Sequence, residues 1–226
     1  MAGNRARIGW VLAAVLAAVL IPWLIWGDRM DALLSPQAMA DWAGGRPRWL
    51  IWLAGIGLLM GDVLLPVPAT PVMSALGYVL GPWEGGFVAA LGAFLAGCLA
   101  YGLARGLGRG MAERLAGAEA LGTLEARFAS DGGWMVALSR WTPVLPEAVA
   151  CLAGLSRMPF ARFAAALACG CLPLGIAFAW IGHLGQASPA LALALSAAIP
   201  GILWWAIARA LRGTATGPSR SRNSPG

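Results

Sequence analysis

Three ionisable residues interrupt otherwise apolar stretches of this sequence. Asp62 follows one apolar run, and Arg140 and Glu147 lie in and beside a second run. A charge near the centre of a membrane costs about 2.5–3.5 kcal/mol on insertion scales, so charged residues kept there are typical of functional sites. Asp62 or Glu147 could bind and release a proton. The permanently charged, planar guanidinium of Arg140 could bind a phosphate or another anion.

Each of these residues also has a structural interpretation. Asp62 could cap a helix or pair with Arg140, and Arg140 could bind backbone carbonyls that prolines leave free. Glu147 follows Pro146 at the expected start of a helix, where the helix dipole favours a carboxylate. An Asp62–Arg140 pair that opens for substrate would combine both interpretations.

The two charged stretches contain prolines and repeat each other. Adding 77 to the residue number takes Pro66 to Pro143 and Gly77 to Gly154. Because prolines break helices, each stretch is predicted to form a re-entrant hairpin that dips into the membrane and returns to the same side. Duplicated segments of this kind are typical of transporter sites at the bilayer midplane. The predicted hairpin-forming residues are Pro66, Pro68, Pro71, Gly77, Pro143, Pro146 and Gly154.

Composition places the chain in a membrane. It has 226 residues, of which 59% are hydrophobic and 12% charged, whereas soluble domains average about 45–50% apolar and about 25% charged residues. The predicted fold is an all-α polytopic membrane protein, an inverted repeat with two opposed re-entrant helical hairpins and about four transmembrane helices. The helices expected to span the membrane cover residues 8–26, 85–107, 160–182 and 190–208.

The same pattern divides the chain into four parts. Residues 1–48 are predicted to form an N-terminal transmembrane helix and an external amphipathic segment, and residues 49–185 the core with both hairpins. Residues 186–208 are predicted to form the last transmembrane helix. Residues 209–226, rich in Ser, Arg, Gly and Pro, are predicted to be a basic disordered tail.

The distribution of basic residues predicts the orientation. All sixteen are arginine. If the N-terminus is cytoplasmic, twelve lie on the cytoplasmic side, three lie on the external side and Arg140 lies within the membrane, which agrees with the positive-inside rule. Both termini are then cytoplasmic, and the hairpins enter from opposite sides. Because the arginines flank apolar spans instead of forming a solvated stripe, the net charge of +6 does not indicate nucleic-acid binding.

The residues needed for several kinds of catalysis are missing from the sequence. It contains one histidine and no Gly-x-Ser-x-Gly or His-Glu-x-x-His motif. The four cysteines, Cys98, Cys151, Cys169 and Cys171, lie in apolar stretches without a Cys-x-x-Cys pair, which indicates packing. We therefore expect no enzymatic activity, no metal site and no cofactor.

Three stretches resemble the DedA / VTT-domain (SNARE-associated Golgi protein) membrane protein family. They are residues 61–68 with Gly77, the middle helix through Tyr101 and Arg105 to Gly108, and residues 139–143 with Gly154. The resemblance covers residues 49–185. It implies two opposed re-entrant hairpins, a bacterial inner (plasma) membrane location and a role in moving lipids, with phospholipid or polyprenyl phosphate as partners and protons as a possible coupling ion.

Two positions depart from that family's pattern. Many bacterial members carry an acidic residue where this chain has Cys98, and a second arginine where it has Pro146. These departures favour the VTT branch, whose substrates are poorly defined. The sequence thus predicts a lipid or anionic-solute translocator. A membrane scaffold without transport activity is the alternative, and homo-oligomer formation is left open.

Overall fold

The described part of the chain consists of helices and their connections, without strands. The computed structural model describes residues 36–63, 69–106, 110, 113, 118–142 and 145–185. The predicted first and last spans, the tail, Pro66, Pro68 and Pro143 lie outside these residues. The helices with described bounds are α1 (Pro36–Ala43), α2 (Arg48–Gly61), α3 (Ala69–Leu80), α4 (Pro82–Gly106), α5 (Ala118–Ser130), α6 (Gly132–Ser139), α7 (Leu145–Leu155) and α8 (Phe160–Gly185).

Two long helices, α4 and α8, form the centre of the fold. They have 25 and 26 residues and are long and apolar enough to cross a membrane, since about 20 apolar residues suffice. The rings of Trp83 and Trp180 lie 5.9 Å apart at one end of the pair. The rings of Tyr101 and Phe163 stack at 4.4 Å at the other end. The two helices therefore run antiparallel, as an inverted repeat requires.

The helix pair α2–α3 has both of its ends at the N-terminal end of α4. At the start of α2, Arg48 pairs with Glu84 in the first turn of α4, with the nitrogen and oxygen 2.8 Å apart. Trp52 donates a 3.0 Å hydrogen bond to the other oxygen of Glu84. At the other end of the pair, α3 ends at Leu80, directly before α4. The chain thus leaves this end along α2 and returns to it along α3.

The pair α6–α7 repeats this arrangement at the N-terminal end of α8. Arg162, in the first turn of α8, donates hydrogen bonds of 2.7 and 2.9 Å to the carbonyls of Ala129 and Ser130, just before α6. At the other end of the pair, α7 finishes at Leu155, five residues before α8 begins. Because α4 and α8 are antiparallel, the two helix pairs have their ends at opposite ends of the molecule.

Each pair packs against the long helix of the other repeat. Gly77 of α3 touches the backbone of Ala179 in α8, and Gly154 of α7 touches the backbone of Tyr101 in α4. A side chain at either glycine would collide with that backbone, which explains why both repeats have glycine at this position. The repeat of 77 residues in the sequence is therefore also a repeat of contacts.

Apolar side chains fill the core and also cover much of the outer surface. The largest fully buried side chains include Val72, Leu76, Val88, Phe128, Val136, Phe163 and Leu167. Large exposed ones include Leu53, Trp83, Phe87, Leu103, Phe160 and Leu172. An apolar exterior of this extent indicates contact with lipid rather than with water.

One helix start differs from the sequence-based prediction. A helix was expected to start at Glu147, but α7 begins at Leu145, while α3 begins at Ala69. Pro71 and Pro146 thus lie within first turns. A proline is tolerated there because the first four N–H groups of a helix have no partner within the helix.

The turns that join each pair to its long helix also correspond. Gly81 follows α3 with φ 85°, and Arg157 follows α7 with φ 54°. Around Arg157 the N–H of Met158 donates to the carbonyl of Ala153 and that of Arg157 to the carbonyl of Gly154. These two bonds form a Schellman motif, in which glycine is the usual residue at the left-handed position.

Candidate functional site

The side chain of Arg140 lies between the two long helices. Arg140 caps the C-terminus of α6 and is 7% exposed. A Cβ atom built on Gly97 of α4 would lie 3.4 Å from its Nη2 atom, and one built on Gly170 of α8 would lie 2.9 Å from its Cγ atom. The two glycines therefore leave the space that the arginine occupies.

The polar contacts of this guanidinium are incomplete among the described residues. Nη2 donates a 2.9 Å hydrogen bond to the carbonyl of Pro146. The Nε atom is buried and has no hydrogen-bond partner there. The ion pair formed by described residues joins Arg48 and Glu84 and does not involve Arg140. A buried charge without a carboxylate partner is costly, so this arginine is suited to receive an anion.

Arg140 lies at mid-depth along the long helices. Gly97 is nine residues from the C-terminal end of α4, and Gly170 is ten residues from the N-terminal end of α8. At 1.5 Å per residue the charge lies about 14 Å from the nearer helix ends. This depth is close to half of a hydrocarbon core of about 30 Å.

Glu147 lies in the same region. It is half-buried in the first turn of α7, where the helix dipole favours its charge. The carbonyl of Pro146, the residue directly before it, accepts the 2.9 Å hydrogen bond of Arg140 Nη2. Two of the three predicted site residues therefore lie in the same region.

Asp62 occupies the corresponding position in the first repeat. It follows α2 as Arg140 follows α6, with φ and ψ of −57° and −26° against −59° and −24°. Its N–H donates to the carbonyl of Leu58, and the residue is half-buried.

The hydrogen bond of Arg140 to the Pro146 carbonyl fits the structural interpretation of Arg140, in which it binds a backbone carbonyl. The Asp62–Arg140 pair stays a prediction.

The hairpin-forming residues have distinct positions. Pro71 and Pro146 lie in first turns, and Gly77 and Gly154 lie against the opposite long helices. The carbonyl of Pro146 accepts the hydrogen bond of Arg140. A proline assigned to chain geometry therefore also contributes directly to the candidate site.

The residues that hold Arg140 in place and those that hold the repeats together were not predicted from the sequence. Gly97 and Gly170 flank the arginine. Tyr101 donates a 2.6 Å hydrogen bond to the carbonyl of Met158, joining α4 to the turn before α8. The only available signal was position: Glu84 and Arg162 are both the third residue of a long helix, 78 residues apart.

Comparison with known proteins agrees with the resemblance seen in the sequence. A family model described as "VTT domain" matches residues 67–184, which is more than half of the chain. The match includes α3 to α7 and nearly all of α8, and therefore Arg140 and Glu147. Asp62 lies just before it. Searches of curated proteins and of solved structures found no match.

Proposed function

Since the chain belongs to the VTT-domain family, we propose that it is a membrane transporter or scramblase-like protein that moves a lipid or an anionic solute. The family match and the two long apolar helices support a membrane protein. We further propose that α2–α3 and α6–α7 are re-entrant hairpins, because each pair begins and ends at one end of a long helix. Their tips then meet near mid-depth and form the site.

The single observation that carries this proposal is the buried, incompletely partnered Arg140. Its guanidinium lies about 14 Å from the nearer helix ends, between two glycines. Burying such a charge costs several kcal/mol unless it is compensated. A phosphate-like group with two or more oxygens would satisfy the remaining donors of its planar fork. Arg140 is therefore the proposed anion-binding residue.

The carboxylates complete the proposed mechanism. Glu147 directly follows Pro146, whose carbonyl accepts the hydrogen bond of Arg140, and Asp62 terminates the corresponding helix of the other proposed hairpin. Proton uptake by either carboxylate would change the charge around a bound anion. Proton coupling or gating is thus their proposed role. The proposed partners are membrane lipids, with phospholipid or polyprenyl phosphate as the anionic candidates, and we propose no enzymatic reaction.

The test is lipid translocation in liposomes that contain the purified protein. Wild type would be compared with Arg140→Gln, Arg140→Lys and Asp62→Asn, with a fluorescent phospholipid and with and without a pH gradient. We expect wild type to move lipid and Arg140→Gln to lose most of that activity. Arg140→Lys should retain part of the translocation activity, since lysine keeps the positive charge but lacks the planar guanidinium that can bind two oxygens at once. A dependence on the gradient that Asp62→Asn abolishes would support proton coupling.

The matched control is Arg46→Gln, which also removes one positive charge but at an exposed arginine before α2 that forms no ion pair with a described residue. Each variant must first elute as a monodisperse species and unfold within a few degrees of wild type. Equal activity of wild type and Arg140→Gln would contradict the role of Arg140. In another outcome, the protein translocates none of the anionic substrates while wild type and the variants equally repair the membrane defect of cells that lack it. That result would favour the alternative of a membrane scaffold without transport activity.

A further inference from the structure

A second group of arginines lies at the end of the molecule opposite the Arg48–Glu84 pair. Arg105 lies in the last turn of α4, Arg157 lies in the turn between α7 and α8, and Arg162 lies in the first turn of α8. All three are exposed. Arg105 donates through Nη1 to the carbonyl of Met158, 3.3 Å away, which places its side chain beside the turn that carries Arg157. The basic side chains are therefore clustered at one end of the bundle.

Arg157 occupies a position that disfavours its side chain. Its φ of 54° lies in the left-handed region, which residues with a Cβ adopt at a cost in free energy. The corresponding turn of the first repeat has Gly81 with φ 85°, the usual residue where a helix ends in the left-handed conformation. The shape of the turn thus explains a glycine but does not explain an arginine.

Apolar side chains surround this basic end. Phe160 and Leu103 are 54% and 52% exposed, and Trp134 is 74% exposed. The ring of Phe160 lies 5.8 Å from that of Tyr101, which also bonds to Arg105. A phospholipid in the surrounding leaflet would present acyl chains to these apolar groups and its headgroup phosphate to the arginines.

We propose that Arg105 and Arg157 bind the headgroup phosphate of an anionic phospholipid at this end of α4. Two guanidinium groups match phosphate oxygens in charge and geometry. The described carboxylate nearest to Arg105 in the chain is Glu113, eight residues after it, and the one nearest to Arg157 is Glu147, ten residues before it. The ion pair that described residues form joins Arg48 and Glu84 at the opposite end. The site lies about 12 Å along α4 from Gly97 and does not depend on transport through Arg140.

The experiment uses Arg157→Gly, because this substitution should change stability and lipid binding in opposite directions. The full chain would be purified in neutral detergent, and its thermal unfolding followed as phosphatidylglycerol or phosphatidylcholine is added. Wild type should gain stability with phosphatidylglycerol but not with phosphatidylcholine. Arg157→Gly should unfold at a higher temperature than wild type without lipid, since glycine favours the left-handed turn, and should bind phosphatidylglycerol about fivefold more weakly.

Arg105→Gln should weaken phosphatidylglycerol binding by a similar factor, and Arg46→Gln, which removes a charge at the opposite end, should not. Inorganic phosphate at the same concentration should have no effect, because it lacks the acyl chains. Equal phosphatidylglycerol binding by wild type and Arg157→Gly would overturn the proposal. An equal gain of stability with phosphatidylcholine or with inorganic phosphate would also overturn it.

Discussion

Arg140 and Cys98 are linked at the residue scale. Cys98 is half-buried in α4. Gly97, the preceding residue, borders the guanidinium directly. A carboxylate at position 98 would therefore lie near Arg140, which has no carboxylate partner among the described residues.

The first prediction concerns Cys98→Asp. The new carboxylate should pair with Arg140 and raise the free energy of unfolding by about 1–2 kcal/mol, because it compensates a charge that is already buried. It should also lower translocation of an anionic substrate, since carboxylate and substrate would compete for one guanidinium. Thermal unfolding and the liposome assay measure the two effects.

Cys98→Asn is the matched control, since it has nearly the same shape as aspartate and carries no charge. A double-mutant cycle with Arg140→Gln isolates the pairwise term. In the Arg140→Gln background Cys98→Asp should destabilise the protein, because a buried carboxylate would then lack a cation. An equal effect of Asp and Asn, or one that persists without Arg140, would contradict the predicted pair.

Close contact between backbones determines how the elements pack. Gly77 of α3 lies against Ala179 of α8, and Ser74 lies against Gly182 one turn away. Lipid tails are as apolar as the helices, so no hydrophobic driving force brings helices together in a membrane. They associate instead through close packing at small residues of this kind. The α2–α3 pair is thus held by backbone contact to the long helix of the second repeat.

The second prediction is that Gly77→Ala loosens this contact. The added methyl group would collide with the backbone of Ala179, which cannot move as a flexible side chain can. Overpacking of this kind costs about 1–3 kcal/mol. Thermal unfolding measures the loss, and hydrogen exchange should show faster exchange in α2 and α3.

Gly102→Ala provides the comparison for this substitution. Gly102 is in α4, and a Cβ atom built there has no neighbour within 4 Å. Alanine favours a helix by about 0.5–1 kcal/mol over glycine, so this variant should be slightly more stable than wild type. Equal losses in the two variants would show that the Gly77–Ala179 contact is not the cause.

At the scale of the whole molecule, the sequence predicted the helical class, the repeat and the family. These features depend on composition, on proline positions and on spacing, which are visible in the sequence. The slot between Gly97 and Gly170 was not predicted, because it depends on how two helices 73 residues apart in the chain cross. The sequence also predicted that Arg140 could bind a backbone carbonyl near the prolines, but which carbonyl accepts the bond depends on how α6 and α7 approach each other, and it is that of Pro146.

The last prediction tests the arrangement of the whole chain in the membrane. Single cysteines would be placed at Trp49, Trp83, Asp131 and Phe160 in a protein whose native cysteines are replaced by serine. All four positions are exposed. If both hairpins are re-entrant and the termini are cytoplasmic, a membrane-impermeant maleimide should label positions 49 and 83 in intact cells. Positions 131 and 160 should react only after permeabilisation.

The two pairs of labelled positions test the re-entrant hairpins and the orientation of the chain separately. Labelling of positions 49 and 83 from opposite sides would mean that the segment between them crosses the membrane, and the first hairpin would not be re-entrant. Reversal of both pairs together would leave the hairpins intact and would contradict only the orientation inferred from the twelve-to-three arginine bias. In either result, Arg140 stays between Gly97 and Gly170, but the side from which its substrate arrives would change.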